Sequence, residues 1–137
     1  MFTKVYFNYS KLRERLLFTR HSPSLDDTHN SDTPFGRAHI KINSVLNRIT
    51  PYSAQATLNP NETCEFPDEM DDVGGKCLIF DRYGTEQGKA PFGVLLLIEV
   101  FRSEMDYVRE HCGRNLFEKL KEAGHYPYSD MEREPVV

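Results

Sequence analysis

The stretch FGVLLLIEVF, residues 92–101, decides the fold of this chain. It is nearly all apolar and has the length of one strand, which predicts a central strand covered on both faces of its sheet. The capping-box spacing from Ser103 to Asp106 then predicts the start of a helix, and Gly124 is the expected left-handed residue at its end. One face of this helix carries apolar residues at steps of three and four: Met105, Val108, Cys112, Leu116, Leu120 and Ala123.

Shorter segments on either side predict the other elements. Apolar and polar residues alternate as in strands in residues 3–9, 37–45, 52–58 and 76–82. Residues 10–18 predict a short helix. The expected fold class is therefore α+β, as a single domain over residues 1–137. It has a mainly antiparallel sheet of about five strands, with the amphipathic C-terminal helix of residues 103–123 packed on it in a second layer.

Composition limits the classes of function. The chain has 137 residues, which suits one domain, and a formal net charge of −4, which argues against a sequence-independent nucleic-acid binder. No apolar run is long enough for a membrane span, and the first 20 residues do not have the pattern of a signal peptide. Three widely spaced cysteines favour free thiols in a reducing cytoplasm over a disulfide framework. We expect no cofactor and neither a nucleic-acid nor a membrane partner.

A polar loop holds the first candidate chemistry. His21, Asp26, Asp27, His29 and Asp32 are spaced closely, and imidazole and carboxylate groups are ligands for zinc, iron or manganese. The spacing matches no known metal motif, and Asp, Asn and Ser residues in such loops ordinarily form turns. The loop of residues 21–32 therefore predicts either a metal-dependent hydrolase or, as the favoured alternative, a solvated or partner-binding loop.

Two further residues are candidates for catalysis. Glu99 interrupts the most apolar strand, so it is either a desolvated general acid or base or a carboxylate that reaches water or a basic neighbour at the strand end. The second interpretation is favoured. Cys112 falls on the apolar face of the predicted helix and His111 falls beside that face, which predicts a shielded core cysteine and not a nucleophile.

The acidic run of residues 62–72 suggests a binding surface. It contains six carboxylates and neither Lys nor Arg. Such a run creates a negative field that can steer a basic partner, although most charge runs are only solvated loops. The predicted partner-binding residues, which include two from the polar loop, are Glu65, Asp68, Glu69, Asp71, Asp72, Asp26 and Asp27. No catalytic and no metal-binding residue is predicted alongside them.

The C-terminal third resembles the closing segment of bacterial Suppressor of Fused-like domains. The resemblance rests on GVLLLIEV (residues 93–100), SEMDYVREHCGRNLFEKLKEAG (residues 103–124) and SDMEREPVV (residues 129–137). These are an apolar strand, an acidic-capped helix, and a terminal Asp-x-x-Arg-x-x-Val stretch. The superfamily includes bacterial immunity proteins, small cytosolic antidotes of contact-dependent or polymorphic toxin systems.

The resemblance implies that this chain is not an enzyme. It implies a cytosolic immunity protein that binds a cognate toxin domain, of nuclease type, through that toxin's basic surface and occludes its active site. Two alternatives stay open. One is a small metal-dependent hydrolase using His21, Asp26, His29 and Glu99. The other is an interaction module of phage or mobile-element origin.

Overall fold

The computed structural model describes residues 4–6, 26–83 and 94–137. The helix predicted for residues 10–18 and His21 lie outside the described residues. The elements in chain order are β1 (Lys4–Tyr6), a 3₁₀ helix (Asp26–His29), α1 (Pro34–Gln55), β2 (Thr63–Glu65), β3 (Cys77–Arg82), β4 (Val94–Val100), α2 (Arg102–His111) and α3 (Gly113–Glu122).

The sheet has the strand order β1-β4-β3-β2. β4, the strand predicted to be central, pairs with β3 in antiparallel register from Cys77 opposite Val100 to Arg82 opposite Leu95. β2 is also antiparallel to β3, whereas β1 joins β4 in parallel. The prediction of about five strands with one packed helix is therefore wrong. Within the described residues there are three antiparallel strands, one short parallel edge strand and three α-helices.

Both faces of the sheet are covered, because successive residues of a strand point to opposite sides. Leu97 of β4 packs with Val45 and Ile49 of α1 on one side. Leu96 and Ile98 face the other side, in the core formed with α2 and α3. The two-layer prediction is thus also wrong: helices lie on both faces. The core residues on the α2–α3 side include Ile79, Val100, Met105, Leu116, Phe117 and Leu120.

Helix α1 replaces the two strands predicted at residues 37–45 and 52–58. The Thr33 side chain accepts a hydrogen bond from Gly36 N at 3.0 Å, and Pro34 occupies the first turn, where it needs no N–H partner. The alternating apolar residues around Ile42 look like a strand, but Ile42, Val45 and Ile49 also lie three to four residues apart. Tertiary burial of Val45 and Ile49 selects the helix.

The single helix predicted for residues 103–123 is broken into α2 and α3. Cys112 has a φ of 77°, and a Cβ on Gly113 would lie 2.5 Å from the carbonyl oxygen of Asn61. Because Gly113 has no Cβ, the backbone of Asn61, which precedes β2, can pack directly against it, and the helix is interrupted at this contact. Gly124, with a φ of 72°, is the left-handed helix end that was predicted.

The start of α2 also differs from the prediction. The helix begins at Arg102 after Phe101, so Ser103 is not its cap. Instead, the Glu104 carboxylate accepts a hydrogen bond from Phe101 N at 3.0 Å. The hydroxyl of Ser103 donates to the backbone oxygen of Val137 at 2.9 Å. The residue expected to cap the helix therefore holds the C-terminal segment.

Residues 125–137 fold back across the β4–α2 junction. The Ser129 hydroxyl accepts a hydrogen bond from Glu99 N at 2.9 Å, which satisfies a backbone donor of β4 beyond the end of β1. Arg133 is buried and forms a bidentate ion pair with Glu104, at 2.6 and 2.7 Å. Glu104 has no exposed surface. The tail is thus part of the domain.

The Glu104 carboxyl stays ionised despite its burial. Desolvation raises its pKa, but hydrogen bonds from Arg133, Val136 N and Phe101 N outweigh this effect, and the pKa lies below its ordinary value. Each carboxylate oxygen accepts two hydrogen bonds, one from Arg133 and one from the backbone.

We predict that Leu120→Ala lowers the free energy of unfolding by about 2–5 kcal/mol, because it removes a fully buried side chain and leaves a cavity. Urea unfolding measures this loss. Tyr52→Ala removes a larger but exposed side chain and is the control. Equal effects of the two substitutions would contradict the assigned core.

We predict that Arg133→Met lowers the free energy of unfolding by about 3–5 kcal/mol at pH 7, because Glu104 is left buried without its partner. Since the folded-state pKa of Glu104 is depressed, its contribution is present above the unfolded value of about 4.3 and is lost as pH falls through the folded value. The difference from the wild type should therefore shrink in acid. Urea unfolding from pH 7 downward tests this, with the exposed Lys41→Met as control. A constant difference at every pH would count against it.

Candidate functional site

The acidic run lies mainly in the connection between β2 and β3, residues 66–76, which we call the acidic loop. Two buried apolar side chains, Phe66 and Val73, anchor it in the core on the α1 side. Phe66 N donates to the Lys76 carbonyl oxygen at 3.0 Å, and Gly75 N donates to the Phe66 carbonyl oxygen at 3.1 Å, closing the base of the loop. The loop therefore has a fixed shape even though it lies at the surface.

Two glycines make the tight path of this loop possible. A Cβ on Gly74 would lie 2.5 Å from the carbonyl oxygens of both Asp68 and Met70, closer than the heavy atoms can approach. Gly75 has a φ of 71°, in the left-handed region that favours glycine. The pair Gly74-Gly75, which has no P-loop sequence after it, thus has a clear structural role.

Three of the predicted partner-binding carboxylates project from the acidic loop. Asp68, Glu69 and Asp71 are all exposed. Asp68 is 3.8 Å from Arg102 with four-fifths of its side chain exposed, so that pair is weak. Within the described part of the chain, Glu69 and Asp71 have no ion pair. These three residues carry the negative charge that the loop presents to solvent.

The other three carboxylates of the run have partners within the molecule. Glu62 accepts hydrogen bonds from the backbone and the side chain of Asn59, both at 3.0 Å. Glu65 on β2 forms ion pairs with Arg102 and with Arg109, the latter at 3.3 Å, and so connects the sheet edge to α2. Asp72 accepts hydrogen bonds from Arg48 of α1 at 3.1 and 3.2 Å. The Arg48 side chain beside it holds the pKa of Asp72 below its ordinary value. The six carboxylates therefore do not form one uniform acidic surface.

Asp26 and Asp27 belong to a different part of the chain from the acidic loop. Both lie in the 3₁₀ helix of residues 26–29, which packs against α1. Asp26 is exposed there. The sequence-predicted set is thus spread over β2, the acidic loop and the 3₁₀ helix.

The polar loop is only partly described. His29 lies beside His39 of α1, with 6.0 Å between the ring centroids, and Asp32 N donates to the Asn30 side chain in a turn. In the ranges that the structure covers, no group of three or more His, Cys, Asp or Glu side chains is placed to hold a metal ion. His21 lies outside those ranges, so the complete predicted set is not described.

Glu99 and Cys112 have different outcomes. Glu99 forms a partly buried ion pair with Lys76 at 2.6 Å, which confirms the interpretation that it reaches a basic neighbour. The prediction of a core cysteine at position 112 is wrong: Cys112 is exposed, because the break between α2 and α3 turns it off the apolar face. Burial raises the pKa of Cys64 and of Cys77, which makes these two thiols poor nucleophiles.

Sequence patterns did not indicate the arginines that contact the acidic residues. Arg48, Arg102 and Arg109 come from helices 24 to 44 residues away along the chain from the carboxylates they hold. Such pairs leave no periodic pattern in a single sequence. Of the ion-paired residues, only Glu104 has a local sequence signal. It is the third residue of α2, where an acidic side chain can cap the helix, and from there it faces both the strand end and the tail.

No protein-family model, no curated protein and no solved structure matches this chain.

None of the helices in residues 26–83 and 94–137 combines the length and the apolar character needed to cross a bilayer.

We predict that Gly74→Ala distorts the acidic loop, because the new methyl group would overlap two backbone carbonyl oxygens. The cost should be about 1–3 kcal/mol, with shifts of the amide NMR signals of residues 66–76. Gly124→Ala is the comparison, since nothing lies within 4 Å of its new Cβ and any cost there comes from the positive φ of Gly124 alone, which leaves the acidic loop unchanged. Unchanged loop signals in the Gly74 variant would contradict the tight path described above.

Proposed function

We propose that this chain is a stoichiometric protein inhibitor, an immunity protein that binds a basic toxin domain in the cytoplasm and occludes its active site. One observation carries the proposal: Asp68, Glu69 and Asp71 project from a loop whose backbone is anchored in the core. Exposed carboxylates on a rigid loop suit recognition of Lys and Arg side chains. A nuclease is a suitable target class, because its substrate groove is itself basic.

The fixed shape of the loop favours binding on energetic grounds. A loop that is already ordered in the free protein loses little conformational entropy when it meets its partner. Glu65 pairs with Arg102 and Arg109, and Asp72 pairs with Arg48, so both help to hold the loop in place. The exposed carboxylates of the loop are left to face a partner. Charges of this kind contribute mainly to association rate and to specificity.

The resemblance to Suppressor of Fused-like domains is a second, weaker support for the proposal. The three segments on which it rests form one packed unit here: β4, the α2–α3 pair, and the returning tail. Arg133 of the Asp-x-x-Arg stretch contacts Glu104 at the start of α2. A pattern that forms a continuous unit is a better basis for comparison than scattered matches. The hydrolase based on residues 21–32 stays a prediction, because His21 is not described.

The first test is identification of the partner. The tagged chain, expressed in its native cells, should retain a protein with a basic surface through a salt wash, at a stoichiometry of one to one. Mass spectrometry identifies the retained protein, and an activity assay of that protein with and without this chain shows whether it is inhibited. Capture without inhibition would contradict the proposed function.

We predict that the triple variant Asp68→Asn, Glu69→Gln and Asp71→Asn associates with the partner about tenfold or more slowly at low salt, because it loses electrostatic steering. It should melt normally, since exposed charges contribute roughly 0–1 kcal/mol each. Stopped-flow association rates against ionic strength measure the effect.

A control variant removes the same charge from elsewhere: Glu110→Gln, Glu122→Gln and Glu134→Gln, all exposed. The two triple variants have equal net charge, so a general charge effect slows both equally. A slower rate only for the acidic-loop variant locates the contact there. Equal rates for the two variants would remove the acidic loop from the interface.

A further inference from the structure

A polar cleft lies at the opposite end of the β2–β3 hairpin from the acidic loop. The register places Glu65 opposite Cys77 at the acidic-loop end, whereas Asn61 N donates to the Phe80 carbonyl oxygen at 2.7 Å at the other end. The cleft is formed by this second end of the hairpin together with α3. Its charged and polar lining includes Asn61, Asp81, Arg82, Arg114, Glu118 and Lys121.

The arginines of this cleft differ from the others in the described structure. Four described arginines contact carboxylates, and a fifth, Arg37, donates to the backbone oxygens of Ser31 and Asp32. In residues 26–83 and 94–137, only Arg82 and Arg114 have neither kind of partner, and both line the same cleft. The four arginines with carboxylate partners are Arg48, Arg102, Arg109 and Arg133.

The carboxylates of the cleft do not neutralise these two guanidinium groups. One Asp81 oxygen accepts the Tyr126 hydroxyl at 2.6 Å, and the other accepts the backbone N–H of Arg82 at 2.7 Å. Burial and the adjacent Asp81 raise the pKa of Tyr126, so its hydroxyl remains a donor. Glu118 is held by Lys121 at 2.9 Å. Among the described residues, neither carboxylate therefore forms an ion pair with Arg82 or Arg114, and the two guanidinium groups have no protein partner there.

Helix α3 adds to the positive character of the cleft. Arg114 is in its first turn, which contains no acidic residue, and no side chain caps the free amides of that turn. Those amides carry a partial positive charge. Gly113 lies directly against Asn61, so the start of the helix adjoins the lining of the cleft.

We propose that this cleft binds a phosphate group, with Arg82 and Arg114 as its principal ligands. Guanidinium groups donate paired, charge-assisted hydrogen bonds to phosphate oxygens. Two of them match a phosphate, which carries about −1.5 to −2 charges near neutral pH, better than they match a singly charged carboxylate. The phosphate group comes either from free phosphate or from a small phosphate monoester.

The test is an NMR titration of the whole chain at constant ionic strength, in three arms: inorganic phosphate, adenosine monophosphate and acetate. Saturable shifts of the Asn61 amide and of the Arg82 and Arg114 side-chain Nε–H signals are expected with the two phosphates, and much weaker ones with acetate. Tighter binding of the monophosphate assigns the site to a phosphorylated small molecule, and equal binding assigns it to free phosphate.

Arg114→Gln should weaken phosphate binding roughly tenfold by removing a charged hydrogen-bond donor, and Arg114→Lys should restore part of it. Lys41→Gln makes the same charge change on α1 and should alter the affinity less than about twofold, as a surface charge at a distance does. Melting curves confirm that each variant is folded.

Absence of saturable shifts at Arg82 and Arg114, or equal weakening by Arg114→Gln and Lys41→Gln, overturns the proposal. The outcome is separate from the inhibitor function, since the acidic-loop triple variant leaves both arginines in place.

Discussion

The buried carboxylate of Glu104 is the interaction on which the C-terminal half of this structure depends. It accepts hydrogen bonds from the last residue before α2, from the backbone of Val136 and from both terminal nitrogens of Arg133. Removing an ion pair from water costs several kcal/mol, and good geometry with additional hydrogen bonds offsets that cost. Both carboxylate oxygens are satisfied here, whereas Arg133 Nε is buried without a partner among the described residues. The donors come from the strand end and from the tail, and the carboxylate comes from the start of α2, so the carboxylate is stable only when all three segments are in place.

Ion pairs between carboxylates and arginines at the surface also determine which carboxylates near the acidic loop are available to a partner. Glu65 and Asp72 are held by arginines of α2 and α1, while Asp68, Glu69 and Asp71 face solvent. Carboxylates that look equivalent in the sequence are therefore of two kinds. The first kind fixes the position of the loop, and the second is available to a partner. A count of charges in a run does not separate them, because their difference lies in partners that are distant along the chain.

The elements whose apolar residues recur at regular spacing could be predicted from the sequence. The regular spacing of apolar residues predicted β4, β3 and most of the buried residues of α2 and α3. Gly124 was predicted because glycine commonly ends a helix in the left-handed conformation. Helix α1 was missed because its apolar residues fit both periods and because it contains an internal proline, Pro51. The exposure of Cys112 was missed because the break at Gly113 depends on contact with Asn61. In the candidate site, the sequence located the acidic loop but not its arginines.

The net charge of −4 conceals a separation of charge along the β2–β3 hairpin. Within the part of the chain that the structure describes, carboxylates without strong internal partners are exposed beyond one end, and the two arginines whose side chains have no partner line the cleft at the other. β3 has six residues, so the two ends are about 20 Å apart, more than the screening length of about 8 Å at physiological salt. At that distance the two groups act on ligands almost independently. A basic protein surface at one end and a phosphate group at the other are therefore compatible on one small domain, and neither would need to displace the other.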